Sequence, residues 1–422
     1  MPKIIVAAPP VPGEFTPLLQ IARGLAARGH QVTVLTGSGF RASVEQAGLS
    51  FAPLAGTADY DVRELHSRPG RAALPPPAQV AWDLVNIFIN PMPDEHAALQ
   101  ELLSRDPGQY LIANTLFLGA WPAKLGAPGP RPARWVAVSA VPLALSSEDT
   151  TFFGPVPVGP GEDPKAANRV ANAQFQAAIR PADNRAGELL MELGAARPTS
   201  PFLDAIYTLP DQTAVLSVPG FEFERSDLPG NVRLAGILPA PAGEDWEPPA
   251  WWGELDGSRP VVAVTQGTLA NGDLSQLVEP ALAGLASMDV TVVAALGREH
   301  GPLSVPVPAN ARVAGYIPFG ALLPKASLLV TNGGSGGTHQ AMAAGVPVVV
   351  AGETEDKPAN AARAAYHRLG INLHTATPTA QAVAGAVASL LQDTEVHENV
   401  LRLAKVYAKH DALDTIERLL FG

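Results

Sequence analysis

The sequence predicts an α/β protein of two doubly wound, parallel-sheet domains. Three observations carry that prediction. The first 36 residues read strand, helix, strand, a βαβ unit that requires parallel pairing. The second half repeats the alternation of short apolar runs and helical stretches with greater regularity. Between the halves, residues 239–249 are Pro-rich and acidic, the composition of a linker. The chain has 422 residues, enough for two domains at about 100–200 residues each.

Taken in order, residues 4–8 are apolar and β-branched and form the first strand, and residues 9–15 form a turn-rich loop. Thr16 before Pro17 predicts a helix start, with Thr as N-cap and Pro at the first helical position. Leu18, Leu19, Ile21, Ala22 and Leu25 follow at helical spacing, and Gly29 closes the helix. Gln31–Thr36 is the second strand. Residues 70–77 read as a Pro-rich loop, and 82–103 as a helix interrupted near Pro91 and Pro93. Residues 110–113, 134–138, 214–218 and 232–236 are candidate strands. Residues 146–164 are a Gly- and Pro-dense loop carrying Phe152 and Phe153, and long loops of this kind often form binding walls. In the second half, Val261–Thr265, 290–296, 311–317, 328–330 and 346–350 read as strands. Residues 274–285, 337–344 and 357–369 read as helices, and the tail 397–420 is strongly helical. The expected organisation is an N-terminal domain over 1–238, a linker over 239–258, a C-terminal domain over 259–396 and a C-terminal helix over 397–422.

Composition removes several classes of function. Hydrophobic residues at 47% against 16% charged are incompatible with a disordered chain. A net charge of −11 without a basic stripe argues against nucleic acid and anionic membranes as partners. With no Cys there are no disulfides, thiolate nucleophiles or Cys-type zinc sites, and a cytoplasmic location fits. No segment reaches the ~18–20 apolar residues that span a bilayer. The apolar start stops at Pro9-Pro10 and lacks the basic lead of a signal peptide. The histidines show no HxxxH or HxH spacing, so no metal is expected.

In doubly wound sheets ligands bind beyond the carboxyl ends of the strands. After residues 328–330 comes Thr331-Asn332-Gly333-Gly334-Ser335-Gly336-Gly337-Thr338, opening a helix. Four glycines let a ligand approach the backbone closely, and the helix N-terminus favours phosphate. A Gly-rich turn without a ligand is the plainer account of such a loop by itself. The loop has no Gly-Lys-Ser/Thr, and the first βαβ unit lacks GxGxxG, so an NTPase and a nicotinamide enzyme are disfavoured.

The stretch from Asn332 through Gly345-Val346-Pro347 resembles the donor signature of the UDP-glycosyltransferase superfamily. Downstream, Gly352-Glu353-Thr354-Glu355-Asp356-Lys357-Pro358 resembles the polar pair that ends it, and upstream Gly315-Tyr316-Ile317-Pro318 resembles its opening element. Pro12-Gly13-Glu14-Phe15-Thr16-Pro17 and Arg28-Gly29-His30 also resemble the family, which is of the bacterial, natural-product type here (glycosyltransferase family 1). The resemblance is weakest over about residues 50–230, the family's acceptor side. It implies the GT-B fold, two facing Rossmann-like domains with a cleft, and a last helix crossing back to the N-terminal domain.

The resemblance also assigns roles. Tyr316, with Ile317 beside it, stands where an aromatic stacks on the nucleobase. Gln340 stands where a Glu bonds the ribose hydroxyls. Asn332, Gly334, Gly336, Gly337 and Thr338 lie at the diphosphate, and Thr268 matches a Ser or Thr that reaches the phosphates. Asp356 and Lys357 match an Asp-Gln pair that holds the sugar hydroxyls. For Tyr316 plain packing is the alternative, and for Asp356 and Lys357 a helix-end charge and a solvated lysine. Many members have His where this chain has Asn332, which donates a hydrogen bond but brings no charge.

A larger departure concerns the base. The family's catalytic His, in Gly-His-x-x-Pro, is replaced by Glu14, and its Asp partner falls near Asn114. Sugar transfer with inversion needs a base for the acceptor proton and donors for the leaving diphosphate. A buried carboxylate, shifted up from its ordinary ~4.3, could serve a phenol or another easily deprotonated acceptor. Alternatively Glu14 only favours the helix start. Asp149, Glu148 and His66 are weaker candidates for the base.

The expectation is an inverting hexosyltransferase. It would move a sugar from a UDP- or dTDP-sugar to a small apolar acceptor such as a phenolic or polyketide. Phe88, Phe117 and Phe152, with Trp82, Ile87 and Phe153, are candidate acceptor walls. No cofactor is expected beyond the nucleotide-sugar co-substrate, and a homodimer is compatible with the sequence. Loss of both dyad residues leaves two alternatives open, a binding or helper protein and a nucleotide-sugar epimerase.

Overall fold

A computed structural model of the chain describes residues 2–66, 68–240, 243, 246–267, 271–297 and 303–422. They form two compact units. The first contains Met1–Leu216, Glu224–Leu238 and Asp411–Gly422, and the second Ser217–Phe223 and Pro239–His410. The tail expected as one helix over 397–422 is instead two helices. Thr394–Tyr407 belongs to the second unit and Ala412–Phe421 to the first. Residues 408–411 separate them, and the Asp411 side chain accepts from the Asp414 N–H, starting a new helix.

In the first unit the strands are β1 (Lys3–Ala7), β2 (Gln31–Thr36), β3 (Ser50–Pro53), β4 (Tyr110–Asn114), β5 (Trp135–Ser139), β6 (Gln212–Val215) and β7 (Val232–Leu234). All pair in parallel, in the order β3-β2-β1-β4-β5-β6-β7. The central runs are apolar throughout because both faces are covered. Ile5 and Ala7 join one core cluster, and Ile4 and Val6 join the other.

The helix after β1 spans Pro12–Ala27, so it starts before the predicted Thr16-Pro17. Pro12 fills its first position, where a missing N–H costs nothing, and Val11 precedes it in extended conformation. Pro17 therefore lies inside the helix. The residues read as a loop form the first turn, and Glu14 is its third residue. Residues 82–103 also divide differently, into Pro76–Asp83, a π-helical turn Leu84–Ile89 and Met92–Arg105. The helices Pro164–Ala178 and Arg180–Glu192 lie where the sequence reading assigned no element.

In the second unit the strands are β8 (Val261–Thr265), β9 (Thr291–Ala295), β10 (Ala311–Ala314), β11 (Leu328–Thr331), β12 (Val348–Val350) and β13 (Gly370–Asn372). Their order is β10-β9-β8-β11-β12-β13, again parallel. The order reverses between β1 and β4 in one sheet and between β8 and β11 in the other. Connections leaving such neighbours diverge to opposite faces and open a crevice at the carboxyl ends. Ser217–Phe223 is fixed in the second unit by Glu222, whose Oε2 accepts from Arg363 Nε at 2.8 Å. Both side chains are buried, and the Arg363 guanidinium also lies over the Phe223 ring.

Candidate functional site

In the first unit the crevice lies beyond β1 and β4. Glu14 follows β1 and Asn114 ends β4. They are 100 residues apart in sequence, yet Asn114 Nδ2 donates to Glu14 Oε2 at 2.6 Å. The Leu116 N–H donates to Asn114 Oδ1 at 2.8 Å, which fixes the amide and turns its NH2 toward the carboxylate. Both side chains are buried. Glu14 also sits in the first helical turn, where the helix dipole favours a negative charge. The two positions that depart from the family pattern are thus brought together as a hydrogen-bonded pair.

Two buried groups nearby escaped the sequence reading. Glu95 Oε2 accepts from the N–H groups of Leu118 and Gly119 at 2.8 and 2.9 Å. Burial pushes its carboxyl up to about 8, against the pull of those two N–H groups. Burial, then the charges of Glu95 and Glu14, lift the Tyr60 hydroxyl well above its ordinary value. In sequence Glu95 is simply a first-turn acid beside Asp94, so nothing local marks it as buried.

The proposed acceptor walls separate. Phe117 has 0% exposure and packs in the core with Trp121 and Phe202, so it is not a wall. It follows the end of β4, where the chain turns back onto the sheet. Ile87 is likewise core, whereas Phe88 is half-buried against that cluster. Phe152 is half-buried and meets the rings of Phe153 and Phe175 at 5.0 and 6.0 Å. Of the other candidate bases, Glu148 is paired with Lys165 and Arg169. Asp149 accepts from Ser226, which holds its carboxyl below the ordinary value. The side chain of His66 lies outside the described residues.

In the second unit the corresponding crevice lies beyond β8 and β11. Asn332, just after β11, donates from Nδ2 to the Gln266 carbonyl after β8 at 2.6 Å. Gly333 has φ +90°, and a Cβ there would stand 2.5 Å from Val350 Cγ1. Only glycine fits that turn. It delivers the chain into the helix Ser335–Ala343. Thr338, in the first turn, is fully buried, and its Oγ1 has no hydrogen-bond partner among the described residues. Gly336 beside it is exposed. The first-turn N–H groups of Gly336 and Gly337, beside an orphan hydroxyl, suit an anion.

Asp356 Oδ2 accepts from Ser335 N at 3.0 Å, Ser335 Oγ at 2.6 Å and Asn360 Nδ2 at 3.0 Å. Asn360 also donates to the Gly333 carbonyl at 2.9 Å. This buried amide, one helical turn beyond Asp356, holds loop and helix together and was not singled out in the sequence. Lys357 is buried, and its ammonium pairs with Glu355. Phe319 packs against Gly337, which sets the 315–319 turn beside the same helix. On that turn Tyr316 is 54% exposed, while the Ile317 side chain is buried. Gln340 is half-buried on the helix. Thr268 lies outside the described residues. Behind the loop, His339 meets the Tyr407 hydroxyl at 2.6 Å, and burial lowers its imidazole to about 4.

Comparison with known proteins bears on this architecture. Residues 279–413 match the family model of the erythromycin biosynthesis protein CIII-like C-terminal domain. The chain is 34% identical to UDP-glucosyltransferase B1 of Starmerella bombicola, across 99% of this chain and 97% of that one. It is 35% identical to 4'-demethylrebeccamycin synthase of Lentzea aerocolonigenes, across 99% of both. Relatives thus include fungal and bacterial proteins. The solved structure of the kitacinnamycin glycotransferase superposes with a TM-score of 0.73 at 24% identity, covering all of both chains, and shares the two-domain GT-B fold. No helix among the described residues is long and apolar enough to cross a membrane. With two parallel sheets of this order and full-length likeness to named transferases, the chain belongs to the UDP-glycosyltransferase family and is a glycosyltransferase.

Proposed function

We propose that this enzyme transfers a sugar, with inversion, from a UDP- or dTDP-sugar to a small, largely apolar natural-product acceptor, with Glu14 as the base. The observation that carries the reading is the Glu14–Asn114 hydrogen bond. Asn114 leaves Glu14 an acceptor of protons, and the fixed amide prevents the carboxylate from turning away. Glu14 takes the proton of the attacking acceptor atom as the bond to the anomeric carbon forms. The bond from that carbon to the diphosphate oxygen breaks, and the departing charge is met by the first-turn N–H groups and Thr338. A carboxylate base favours acceptors that lose a proton readily, a phenol above an alkyl alcohol. Tyr316 stacks on the nucleobase, Gln340 bonds the ribose, and the free oxygen of Asp356 reaches the sugar. No metal is needed in this scheme. Relatives named as UDP-glucosyltransferases favour UDP over dTDP as the carrier. The absence of Cys supports a cytoplasmic setting.

The test is calorimetric titration with UDP and dTDP, followed by turnover with a phenolic acceptor panel. Saturable binding and acceptor-dependent UDP release are expected. Binding without turnover for any acceptor would support the helper-protein alternative, and donor breakdown or isomerisation without acceptor would support the epimerase.

A further inference from the structure

Glu14 and Glu95 hang on the two ends of one loop. At its start Asn114 donates to Glu14 at 2.6 Å, and at its end the N–H groups of Leu118 and Gly119 donate to Glu95 Oε2 at 2.8 and 2.9 Å. Tyr60 comes to the same place from the segment after β3. The Thr57 N–H donates to Asp94 Oδ2 at 2.6 Å, which ties that segment to the helix Met92–Arg105 next to Glu95. After burial, the charges of Glu95 and then Glu14 act on the Tyr60 hydroxyl, so both carboxyls are within its electrostatic reach. Yet Tyr60 Oη and Glu95 Oε1 are buried, and neither has a hydrogen-bond partner among the described residues. Thr115 Oγ1, next to Asn114 on the loop, is a third such atom. Buried polar atoms left unpaired are costly, and water that bridges two or more of them removes the cost. The ionisable neighbours are turned elsewhere. Asp59 accepts from the Ser38 N–H, Asp61 from the Arg63 N–H and Asp94 from Thr57, and His96 Nδ1 meets the Gly119 carbonyl at 2.9 Å. Glu95 Oε2 is committed to two donors, so the proton that burial keeps on this carboxyl sits on the unpaired Oε1.

We propose that Tyr60 and Glu95 are positioning residues for the base: a hydrogen-bond chain, completed by buried water, runs from Glu95 Oε1 through the Tyr60 hydroxyl to the Glu14 carboxylate. This rests on the reading of Glu14 as the base and goes beyond it. Every hydrogen in the chain has an acceptor. Glu95 donates, Tyr60 accepts and donates, and Glu14 gains a donor in addition to Asn114. A donor favours the charged form of a carboxylate, so the chain keeps a buried Glu14 ionised and ready for the acceptor's proton. Its direction depends on Glu95. Once Glu95 is ionised its Oε1 can only accept, the Tyr60 hydroxyl turns toward it, and Glu14 loses the donor.

Profiles of kcat/KM against pH, with UDP-glucose and a phenolic acceptor, test it on the wild-type enzyme, Tyr60→Phe, Glu95→Gln and Glu14→Gln. Tyr60→Phe should move the acid limb up by about one pH unit, the effect of one hydrogen bond to a charged group, while UDP affinity by calorimetry stays the same. A purely structural role for the hydroxyl would not move that limb. The wild-type profile should fall several-fold as pH rises through about 8, where Glu95 ionises. Glu95→Gln should lack that fall, because an amide donates at every pH. An acid limb unmoved in Tyr60→Phe, or an alkaline fall retained in Glu95→Gln, overturns the inference alone so long as Glu14→Gln has lost turnover. If Glu14→Gln turns over within a few-fold of wild type, or the wild-type enzyme does not turn over, the reading of the base falls and this inference with it.

Discussion

At the scale of single residues, Glu14 and Asn114, the proposed base and its partner, form a pair of different chemistry from the His and Asp of the family pattern. A buried carboxylate needs a donor facing it, and Asn114 supplies one that cannot itself take the proton. Glu14→Gln keeps the shape and removes the proposed base, so kcat should fall by about 100-fold or more while UDP affinity stays within two-fold. Asn114→Ala should lower kcat less, since it removes only the orientation. Steady-state kinetics with one phenolic acceptor read both, and turnover of Glu14→Gln within a few-fold of wild type would remove Glu14 from the mechanism. Glu95 makes a separate prediction about pH. Its carboxyl goes from an ordinary 4.5 to about 8 in the fold. The folded protein keeps that proton where the unfolded chain has lost it. Stability is therefore fully present below pH 4.5 and drains as pH rises toward 8, by up to about 4 kcal/mol. In urea unfolding at pH 5 and pH 8.5, Glu95→Gln should lose less stability between the two than wild type does.

At the scale of elements, the donor loop is shaped by close approaches of backbone. The turn at Gly333 brings β11 into the helix Ser335–Ala343, and Asn360 and Asp356 bind that turn from the next helix. A Cβ on Gly352 would stand 2.1 Å from the Asn332 carbonyl, so that glycine is also excluded from change. Gly333→Ala combines a left-handed φ with a clash against Val350. It should cost the turn about 1–2 kcal/mol in conformation alone and abolish detectable UDP binding while the protein remains folded. Calorimetry beside a circular-dichroism melt separates the two effects. The helix Pro12–Ala27 shows the same dependence on local geometry. Thr-Pro reads as a start anywhere, but Pro12 at the first position satisfies the helix earlier and carries Glu14 into its first turn.

At the scale of the whole molecule, each unit is completed by sequence from far away. Ala412–Phe421 sits in the first unit, where Ile416 and Leu420 enter the core and Arg28 pairs with Asp414 at 2.6 Å. Ser217–Phe223 sits in the second, held by Glu222 on Arg363 across 141 residues of chain. Removing one member of a buried pair strands the other charge. Arg363→Met should therefore cost about 3–5 kcal/mol, and adding Glu222→Gln should recover part of it, as read by thermal and urea unfolding. Much of the architecture was legible beforehand. Strands such as Lys3–Ala7 and Val261–Thr265 were legible because a strand covered on both faces must be a short, nearly continuous apolar run. The glycine loop was legible because the left-handed turn at Gly333 and its close packing against Val350 restrict residue type locally. β3 and the helices over residues 164–192 were not, since the edge strand is short and half-exposed and those helices are largely polar. Nor was the burial of Phe117, which reads like any loop aromatic. The sequence by itself determined the fold class and the glycine loop, and it marked Glu14 and Asn114 as departures from the family pattern, because each is written in neighbouring residues. Only the tertiary structure decided that Glu14 meets Asn114, that Lys357 is held by Glu355, and that Glu95 keeps its proton. Hydrogen bonding, ion pairing and desolvation depend on what lies across space, and β1 and β4 bring together residues that the chain separates by a hundred positions.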